Sequence, residues 1–202
     1  MLSKRVFDIF FSALALLVVS PLLAALAVWV KLDSPGPVFF RQVRVGRFGR
    51  EFSILKLRTM RIDAAAQELL QITVGADPRI TRAGGFLRKY KLDELPQFLN
   101  VLAGDMSVVG PRPEVPKYVA LYPPDIRDVV LSLRPGLTDP ASLAYLDEAT
   151  LLAESDQPER TYVEVILPAK LRYAVAYQQR RSLRLDLVIV WQTVLAVFGR
   201  TG

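Results

Sequence analysis

An uncharged apolar run near the N-terminus constrains this chain more than any other feature. Residues 9–30 read IFFSALALLVVSPLLAALAVWV. At about 1.5 Å per residue, a helix of this length reaches roughly 30 Å, the thickness of the hydrocarbon layer of a membrane. The run is too long for the core of a signal peptide and lacks a small-residue cleavage site, so we expect it to be retained.

Two features of this run favour a hairpin that enters and leaves one leaflet over a plain spanning helix. Pro21 removes a backbone hydrogen bond near the middle, and the Ser20 hydroxyl can satisfy a carbonyl that this frees. Both flanks are basic, with Lys4 and Arg5 before the run, and the positive-inside rule therefore places both on the cytoplasmic side. The cations after the run are Lys31, Arg41, Arg44, Arg47 and Arg50. On hydropathy alone, an ordinary kinked spanning helix remains the alternative.

The composition restricts the chemistry that the chain can perform. Its 202 residues include no Cys and no His, which excludes disulfides, thiolate catalysis, Ser-His catalysis and Cys/His zinc sites. Catalysis must therefore use carboxylates, Lys, Arg or hydroxyl groups, with a hard, oxygen-ligated cation such as Mg²⁺. A net charge of +6 favours anionic membrane lipids or phosphorylated substrates. Nucleic acid is the weakest candidate, because aromatic residues do not alternate with the cations.

The rest of the chain predicts an α+β, mostly helical protein with a small β-hairpin. VFFRQVRVG and REFSILKLRTM alternate apolar and polar residues around Gly46 and Gly49, which is typical of a hairpin. We predict a helix over 61–72, a turn over 77–85, a short helix over 115–121 and a strand or extended segment in TYVEVIL. Pro168 can start a helix, and the uncharged run 187–198 is too short to span a bilayer, so we expect it at the membrane interface.

A helix is predicted from Asp93, with Asp93 as its N-cap, Pro96 in its first turn and Gly104 as its stop. Its apolar residues are expected on one face and are Leu95, Phe98, Leu99 and Leu102. This prediction places the acidic pair Asp93-Glu94 at the positive end of a helix dipole.

Cations and rigid turns surround this acidic pair. Arg88, Lys89 and Lys91 precede it, and these charges would hold Asp93 ionised, as a nucleophile or metal ligand requires. Gly110-Pro111-Arg112-Pro113 forms a rigid turn that presents one guanidinium. Lys56 and Arg58, two apart on a strand, are expected on one face. Each charge alone fits a solvated or headgroup contact, but together they indicate a phosphate-handling carboxylate site on a membrane surface.

Nearly the whole chain resembles the monotopic phosphoglycosyl transferases, bacterial sugar transferases that start glycan assembly on polyprenol phosphate. The resemblance rests on KRVFD, on Ser20-Pro21, on RPGLT and on two long blocks. These blocks read SPGPVFFRQVRVGRFGREFSILKLRTM and DPRITRAGGFLRKYKLDELPQFLNVLAGDMSVVGPRPE. The match covers the minimal catalytic unit of the family, without the additional transmembrane helices of longer relatives.

The resemblance implies a re-entrant membrane helix over 1–31, broken at Ser20-Pro21, and a membrane-surface catalytic domain over 32–202. It places the protein at the cytoplasmic face of the bacterial inner membrane. It also implies two steps: Asp93 attacks the β-phosphate of a nucleoside diphosphate sugar, usually a UDP-sugar, and undecaprenyl phosphate then takes the phosphosugar from Asp93.

Roles for further residues follow from the same resemblance. Mg²⁺ would be held by Glu94 or by Asp93 itself. The substrate phosphates and nucleotide would contact Lys56, Arg58, Arg88, Pro111, Arg112 and Pro113. Lys4 and Arg5 would pin the hairpin to anionic headgroups, with Arg5 paired to Asp8 one turn away.

The chain departs from the family pattern after RPGLT, where many relatives continue with Gly and an aromatic residue. Here the sequence reads Asp139-Pro140-Ala141-Ser142, which affects the local loop and the sugar preference. Two alternatives remain: a non-catalytic scaffold for glycan enzymes, and direct one-step transfer in which Asp93 only holds metal. The sugar and the pathway are not determined by the sequence, and a homodimer is compatible with it.

Overall fold

The structure, a computed structural model, describes residues 2–61 and 77–199. Most of the helix predicted over 61–72 lies outside these residues. The described part is mostly helical with short strands, as predicted for an α+β protein. Its helices are α1 (Leu2–Asp33), α2 (Arg82–Lys89), α3 (Gln97–Ala103), α4 (Pro116–Val119), α5 (Pro124–Leu131), α6 (Pro140–Ala144), α7 (Glu148–Ala153), α8 (Pro158–Thr161), α9 (Leu167–Arg180) and α10 (Leu183–Phe198). Its strands are β1 (Phe39–Val45), β2 (Glu51–Leu57), β3 (Ser107–Val109) and β4 (Gly136–Thr138).

Helix α1 contains the whole apolar run. The helix continues past Pro21 without the break predicted at Ser20-Pro21, and the Ser20 hydroxyl donates to the Leu17 carbonyl at 3.0 Å. Among the described residues it is the one helix long and apolar enough to cross a membrane, by length and composition. Its buried positions lie towards its two ends and are Asp8, Ser12, Leu26 and Val30. The middle of the helix therefore stands away from the rest of the protein.

The N-terminal end of α1 is bound to the core by polar side chains. Arg5 donates to the carbonyls of Val101, at 2.7 Å, and Leu102, at 3.1 Å, in the last turn of α3. The buried carboxylate of Asp8 accepts from the Ser107 hydroxyl at 2.9 Å. The expected Arg5–Asp8 pair is therefore absent, because each side chain bonds to a different part of the core.

Lys4 makes a further link, to the last helix. Its ammonium lies 2.6 Å from the carboxylate of Asp186 in α10, which also accepts a hydrogen bond from the Tyr177 hydroxyl at 2.6 Å. Asp186 is almost completely buried, so this pair joins the two ends of the chain inside the protein.

The C-terminal end of α1 is held by Arg58. The Arg58 guanidinium donates to the carbonyls of Val30, at 3.1 Å, and Ser34, at 2.7 Å, and also bonds to that of Pro35. The last carbonyls of a helix have no partner within the helix, and a guanidinium supplies them with donors. Nearby, Asp33 accepts from the Ala83 amide at 2.9 Å, which ties α1 to the start of α2.

Strands β1 and β2 form the predicted antiparallel hairpin, with Phe39 opposite Leu57 and Val45 opposite Glu51. Its tip contains a short 3₁₀ turn over Arg47–Gly49. Strands β3 and β4 are parallel and lie so close that a Cβ on Gly136 would stand 2.2 Å from the Gly110 amide nitrogen. This contact fixes the position of the turn that follows Gly110.

Two local predictions are wrong. The second half of 77–85 is helical, because the Thr81 hydroxyl caps α2 by accepting from the Gly84 amide at 2.9 Å. The TYVEVIL segment is also helical: Tyr162–Ile166 forms a π-helical turn that leads into α9. Its β-branched residues suit a strand, but it packs in the main apolar cluster with Tyr118 and Leu171. The helices predicted over 115–121 and from Pro168 are confirmed by α4 and α9.

The two adjacent glycines of α2 provide a matched test of this packing. A Cβ on Gly84 would lie 2.0 Å from the Thr59 carbonyl oxygen, whereas a Cβ on Gly85 would meet only a methyl of Ile80 at 4.0 Å. We expect Gly85→Ala to stabilise the protein by up to about 1 kcal/mol through helix propensity. Gly84→Ala should destabilise it by about 2 kcal/mol or more, because backbone must move. Thermal denaturation in detergent measures both, and equal melting temperatures would contradict the close contact.

Candidate active site

The acidic pair lies on a tight turn between α2 and α3. Lys91 adopts the left-handed conformation with φ of 57°, and Leu92–Glu94 then forms a 3₁₀ turn. The predicted N-cap role of Asp93 is wrong, because α3 begins later, at Gln97 after Pro96. Hydrogen bonds between residues three apart continue as far as Leu99, whose amide donates to the Pro96 carbonyl at 3.0 Å. The stop at Gly104 is confirmed by its φ of 98°.

Helix α3 is oriented by polar contacts as well as by the burial of Val101. Its buried residues are Gln97, Asn100 and Val101, whereas Leu99 of the predicted apolar face is 46% exposed. The Asn100 side chain accepts from the Leu55 amide at 3.0 Å and donates to the Ser53 carbonyl at 2.9 Å. These bonds turn the polar face of α3 towards strand β2.

Glu94 is the point at which three segments of the chain meet. Its carboxylate accepts from the Lys56 ammonium of β2 at 2.7 Å and from the Arg112 guanidinium, through one nitrogen at 3.1 Å and more closely through the other. Burial alone would raise the pKa of Glu94, but Arg112 and Lys56 hold that pKa well below its usual range. Glu94 also raises the pKa of Arg112. This part of the site therefore stays charged and fixed.

Asp93 has a different environment. It is 8% exposed, and within the described part of the chain its carboxylate accepts no hydrogen bond and forms no ion pair. Burial raises the pKa of Asp93, Lys56 opposes this rise, and the neighbouring Glu94 adds to it. Asp93 is thus a carboxylate in an electropositive pocket whose oxygens remain available to another group.

Arg88 faces the same pocket from α2. Its Nε donates to the Thr59 hydroxyl at 2.9 Å, and its charge favours the ionised form of Asp93. The contact between Gly84 and the Thr59 backbone sets the position of this helix. The packing of α2 therefore determines where the Arg88 guanidinium lies.

The turn Gly110-Pro111-Arg112-Pro113 is fixed on both sides. The Gly136 amide donates to the Pro111 carbonyl at 2.9 Å, and the Arg44 guanidinium donates to that of Pro113 at 3.0 Å. Asp139, directly after RPGLT, accepts from the Ser142 amide at 2.7 Å. It caps α6, and its other oxygen lies 3.4 Å from the Arg112 amide. Asp139 thus supplies a cap next to the turn.

Lys56 and Arg58 do not share one face as expected. Strand β2 ends at Leu57, so the alternation of side chains does not extend to Arg58. Lys56 points to Glu94, whereas Arg58 is buried against the end of α1. The structure thus brings together Lys56, Arg88, Asp93, Glu94 and Arg112, and places Arg58 at the end of α1.

Sequence reasoning did not single out a second buried polar cluster, next to Pro113. Glu114 accepts from the Tyr162 hydroxyl at 2.5 Å and lies 3.7 Å from the Arg44 guanidinium. Lys170 is 3.8 Å from Glu114 and 2.6 Å from Glu148. Glu114 directly follows the Pro-Arg-Pro turn, which could have drawn attention to it. Arg44 and Lys170 are distant from it in sequence, and no sequence pattern predicts that they meet Glu114.

The Lys56 charge should control the pH at which Asp93 ionises. The pKa of Asp93 is raised, so activity that needs the carboxylate should be lost as pH falls through a value above the usual Asp value of about 4. Lys56→Met removes a charge that lowers this pKa, so the acid limb should move to higher pH. A pH profile of kcat/KM measures the shift. Lys117→Met is the control, because the Lys117 ammonium bonds only to Glu159 at an exposed position among the described residues. An unmoved or lowered limb would contradict the assignment.

Comparison with known proteins identifies the family of this chain. Residues 1–200 match the family model described as bacterial sugar transferase. The chain is 38% identical over 199 residues to the UDP-glucose:undecaprenyl-phosphate glucose-1-phosphate transferase of Escherichia coli (strain K12), covering 98% of this chain and 40% of that protein. It is 38% identical to the UDP-N-acetylgalactosamine-undecaprenyl-phosphate N-acetylgalactosaminephosphotransferase of Aeromonas hydrophila, covering 98% of this chain and 44% of that protein.

A shorter relative matches along nearly its whole length. The exopolysaccharide production protein PSS of Rhizobium leguminosarum bv. phaseoli is 37% identical over 211 residues, which cover 98% of this chain and 96% of that protein. The chain spans about two fifths of the length of the Escherichia coli and Aeromonas relatives. On the match to the family model and to these relatives, the chain belongs to the bacterial sugar transferase family.

Proposed function

We propose that this protein is a phosphoglycosyl transferase that moves a sugar 1-phosphate from a UDP-sugar to undecaprenyl phosphate, the first membrane step of glycan or exopolysaccharide assembly. The observation that carries this proposal is the buried carboxylate of Asp93, which accepts no hydrogen bond from the described residues and lies near Lys56 and Arg88, with Arg112 bound to the adjacent Glu94. The names of the relatives support the reaction class, since they describe transferases that act on undecaprenyl phosphate.

In the first step, a carboxylate oxygen of Asp93 attacks the β-phosphorus of the UDP-sugar. A bond forms between this oxygen and phosphorus, and the bond from phosphorus to the oxygen shared with the α-phosphate breaks. UMP leaves with that oxygen, and the sugar phosphate remains on Asp93 as an acyl phosphate. Covalent catalysis of this kind divides one difficult transfer into two easier ones.

In the second step, a phosphate oxygen of undecaprenyl phosphate attacks the phosphorus of the intermediate. The bond between phosphorus and Asp93 breaks, which restores the carboxylate and yields the polyprenol diphosphate sugar. The same cations can assist both steps, because negative charge on the phosphoryl oxygens is present in each.

The cations have distinct tasks in this scheme. Arg88 and Arg112 would bind phosphate oxygens, and Lys56 would hold Glu94 while favouring the ionised form of Asp93. The prolines on either side of Arg112 would seat the nucleotide. Arg58 would act indirectly, by holding the membrane helix against the end of β2.

Mg²⁺ is the proposed cofactor, bound by Asp93 together with substrate phosphates. The residues present fit this ion, because Mg²⁺ in proteins often uses only one or two carboxylates and completes its coordination with phosphates and water. Both oxygens of Glu94 accept from cations, whereas those of Asp93 are available, which favours Asp93 as the protein ligand. When bound, Mg²⁺ would neutralise charge on the diphosphate.

The proposed location is the cytoplasmic face of the inner membrane, with α1 as a re-entrant hairpin. A straight helix from Arg5 to Ser34 would be about 44 Å long, and a spanning helix would place its ends on opposite sides of the hydrocarbon layer. Arg5 binds α3 and Ser34 binds Arg58 beside β2, and α3 and β2 are joined directly through Asn100. Attachment of both ends to one body supports a hairpin, in which lipid would cover the exposed apolar middle.

This placement suits the two substrates. A polyprenol phosphate keeps its phosphate at the interface and its tail in lipid, while a UDP-sugar stays in water. A catalyst partly immersed in one leaflet can bind both substrates without moving either across the membrane.

Asp93→Asn distinguishes the enzyme from a non-catalytic scaffold. We expect the purified wild-type protein to release UMP from a UDP-sugar in a panel that includes UDP-glucose and UDP-N-acetylgalactosamine. Asp93→Asn should reduce this release by about 10⁴-fold or more, because it removes the nucleophile. Asp105→Asn, an exposed acid after α3, serves as the matched control. Unchanged UMP release in Asp93→Asn would contradict the mechanism.

Trapping the intermediate separates the two-step scheme from direct transfer. Without polyprenol phosphate, mass spectrometry of the wild-type protein should show one added phosphosugar at Asp93. Product formation with polyprenol but no adduct at any time would favour the one-step alternative.

The absence of Cys allows a clean test of the hairpin. Ser3→Cys and Leu32→Cys, at exposed positions on either side of the apolar run, should react with a membrane-impermeant maleimide in inverted vesicles and not in intact spheroplasts. Gln157→Cys in the catalytic unit reports the cytoplasmic side. Labelling of Ser3→Cys from the outer side only would establish a spanning helix.

A further inference from the structure

A buried amide next to the acidic pair lacks a partner. Gln97 is 2% exposed, and its Nε2 is enclosed without a hydrogen-bond acceptor among the described residues. Leaving such a donor unsatisfied destabilises the folded protein. Buried polar groups are satisfied in nearly all native proteins, so an exception calls for a functional or structural reason.

The position of Gln97 follows from the backbone of this segment. Hydrogen bonds between residues three apart recur from Lys91 to Leu99, and the α-helix α3 begins at Gln97. Residues three apart lie on the same side of both a 3₁₀ turn and an α-helix. Glu94, Gln97 and Asn100 therefore form one column. Glu94 bonds to Lys56 and Asn100 bonds to Leu55, so both ends of this column face strand β2. Gln97 lies between them, one turn from Glu94.

Among the described residues, no acceptor bonds to this donor. The oxygens of Glu94 already accept from Lys56 and Arg112, and Asn100 is bonded to the backbone of β2. The preceding turn carries Asp93 and Glu94 with the cations that act on them, a setting suited to an incoming anion. An amide adds a directed donor there without adding charge, and preformed donors of this kind stabilise charge on a reacting oxygen.

We propose that Gln97 is a catalytic residue whose Nε2 donates a hydrogen bond to a phosphate oxygen of the bound donor substrate. This inference rests on the proposed function and deepens it, because it adds a neutral donor to the cations of the site. In the protein without substrate, the Gln97 amide is already in place, and its N–H group has no hydrogen-bond acceptor among the described residues. Binding of the diphosphate supplies the acceptor.

Gln97→Met tests the proposal, because methionine has a similar volume and no donor. We expect an unchanged or higher melting temperature, since the unsatisfied group is gone. The rate of UMP release in a single turnover should fall by about 10- to 100-fold. Gln157→Met, at an exposed position, is the matched control. Full activity in Gln97→Met, or a lower melting temperature, would overturn the proposal in favour of no role or a structural one.

A binding measurement makes the test independent of turnover. Inorganic pyrophosphate should raise the melting temperature of the wild-type protein, and Gln97→Met should reduce this shift by at least half. Gln97→Glu, which replaces the donor with a charge of the same shape, should abolish it. Equal shifts in wild type and Gln97→Met, or no shift in the wild type, would overturn the proposal, as would failure of both variants to fold.

These outcomes are distinct from failure of the proposed function. A wild-type protein that releases no UMP from any UDP-sugar would contradict the transferase assignment. The pyrophosphate shifts would still decide whether Gln97 binds phosphate.

Discussion

The site depends on the compensation of one partly buried carboxylate. Glu94 accepts hydrogen bonds from Lys56 on strand β2 and from Arg112 on the turn after β3. A carboxylate removed from water is destabilising without cationic partners, so these three segments stabilise one another. Lys56 and Arg112 are thereby fixed beside Asp93, whose oxygens accept no hydrogen bond from the described residues. The two acids of the pair therefore differ in their contacts: Glu94 fixes the cations, and Asp93 remains available to another group.

Helix α1 is joined to the elements that carry the acidic pair and its cations. Arg5 binds the last turn of α3, whose first turn follows the acidic pair, and Arg58 binds the last turn of α1 just after strand β2. Cations predicted to contact headgroups or substrate instead satisfy helix carbonyls inside the protein. Movement of α1 would disturb both the strand that carries Lys56 and the helix that follows Asp93. This coupling suits the proposed transfer to a lipid substrate, which would require the site to stay at a fixed depth.

Helix α3 illustrates where the reading of a hydrophobic pattern is incomplete. Its leucines and Phe98 lie together as expected, but the helix turns a polar face with Gln97 and Asn100 towards β2 and leaves Leu99 half exposed. In a water-soluble protein the apolar face would be buried. Beside a membrane helix that order can reverse, because lipid can cover apolar residues while polar groups find partners in the core. The ring of Phe98 packs 6.2 Å from that of Phe11 on α1, in line with this arrangement.

The sequence by itself determined the elements whose cause is local. Alternating residues gave the β1–β2 hairpin, Gly104 gave the end of α3, and the spacing of cations around Asp93-Glu94 gave most of the site. It could not determine contacts between distant segments. Only the tertiary structure separates Lys56 from Arg58, because β2 ends between them at Leu57. It alone pairs Lys4 with Asp186, from opposite ends of the sequence. It also leaves the Gln97 amide without an acceptor among the described residues, which depends on the rotation of α3. Local propensity acts over a few residues, whereas the pairing of buried charges is decided by packing across the whole fold.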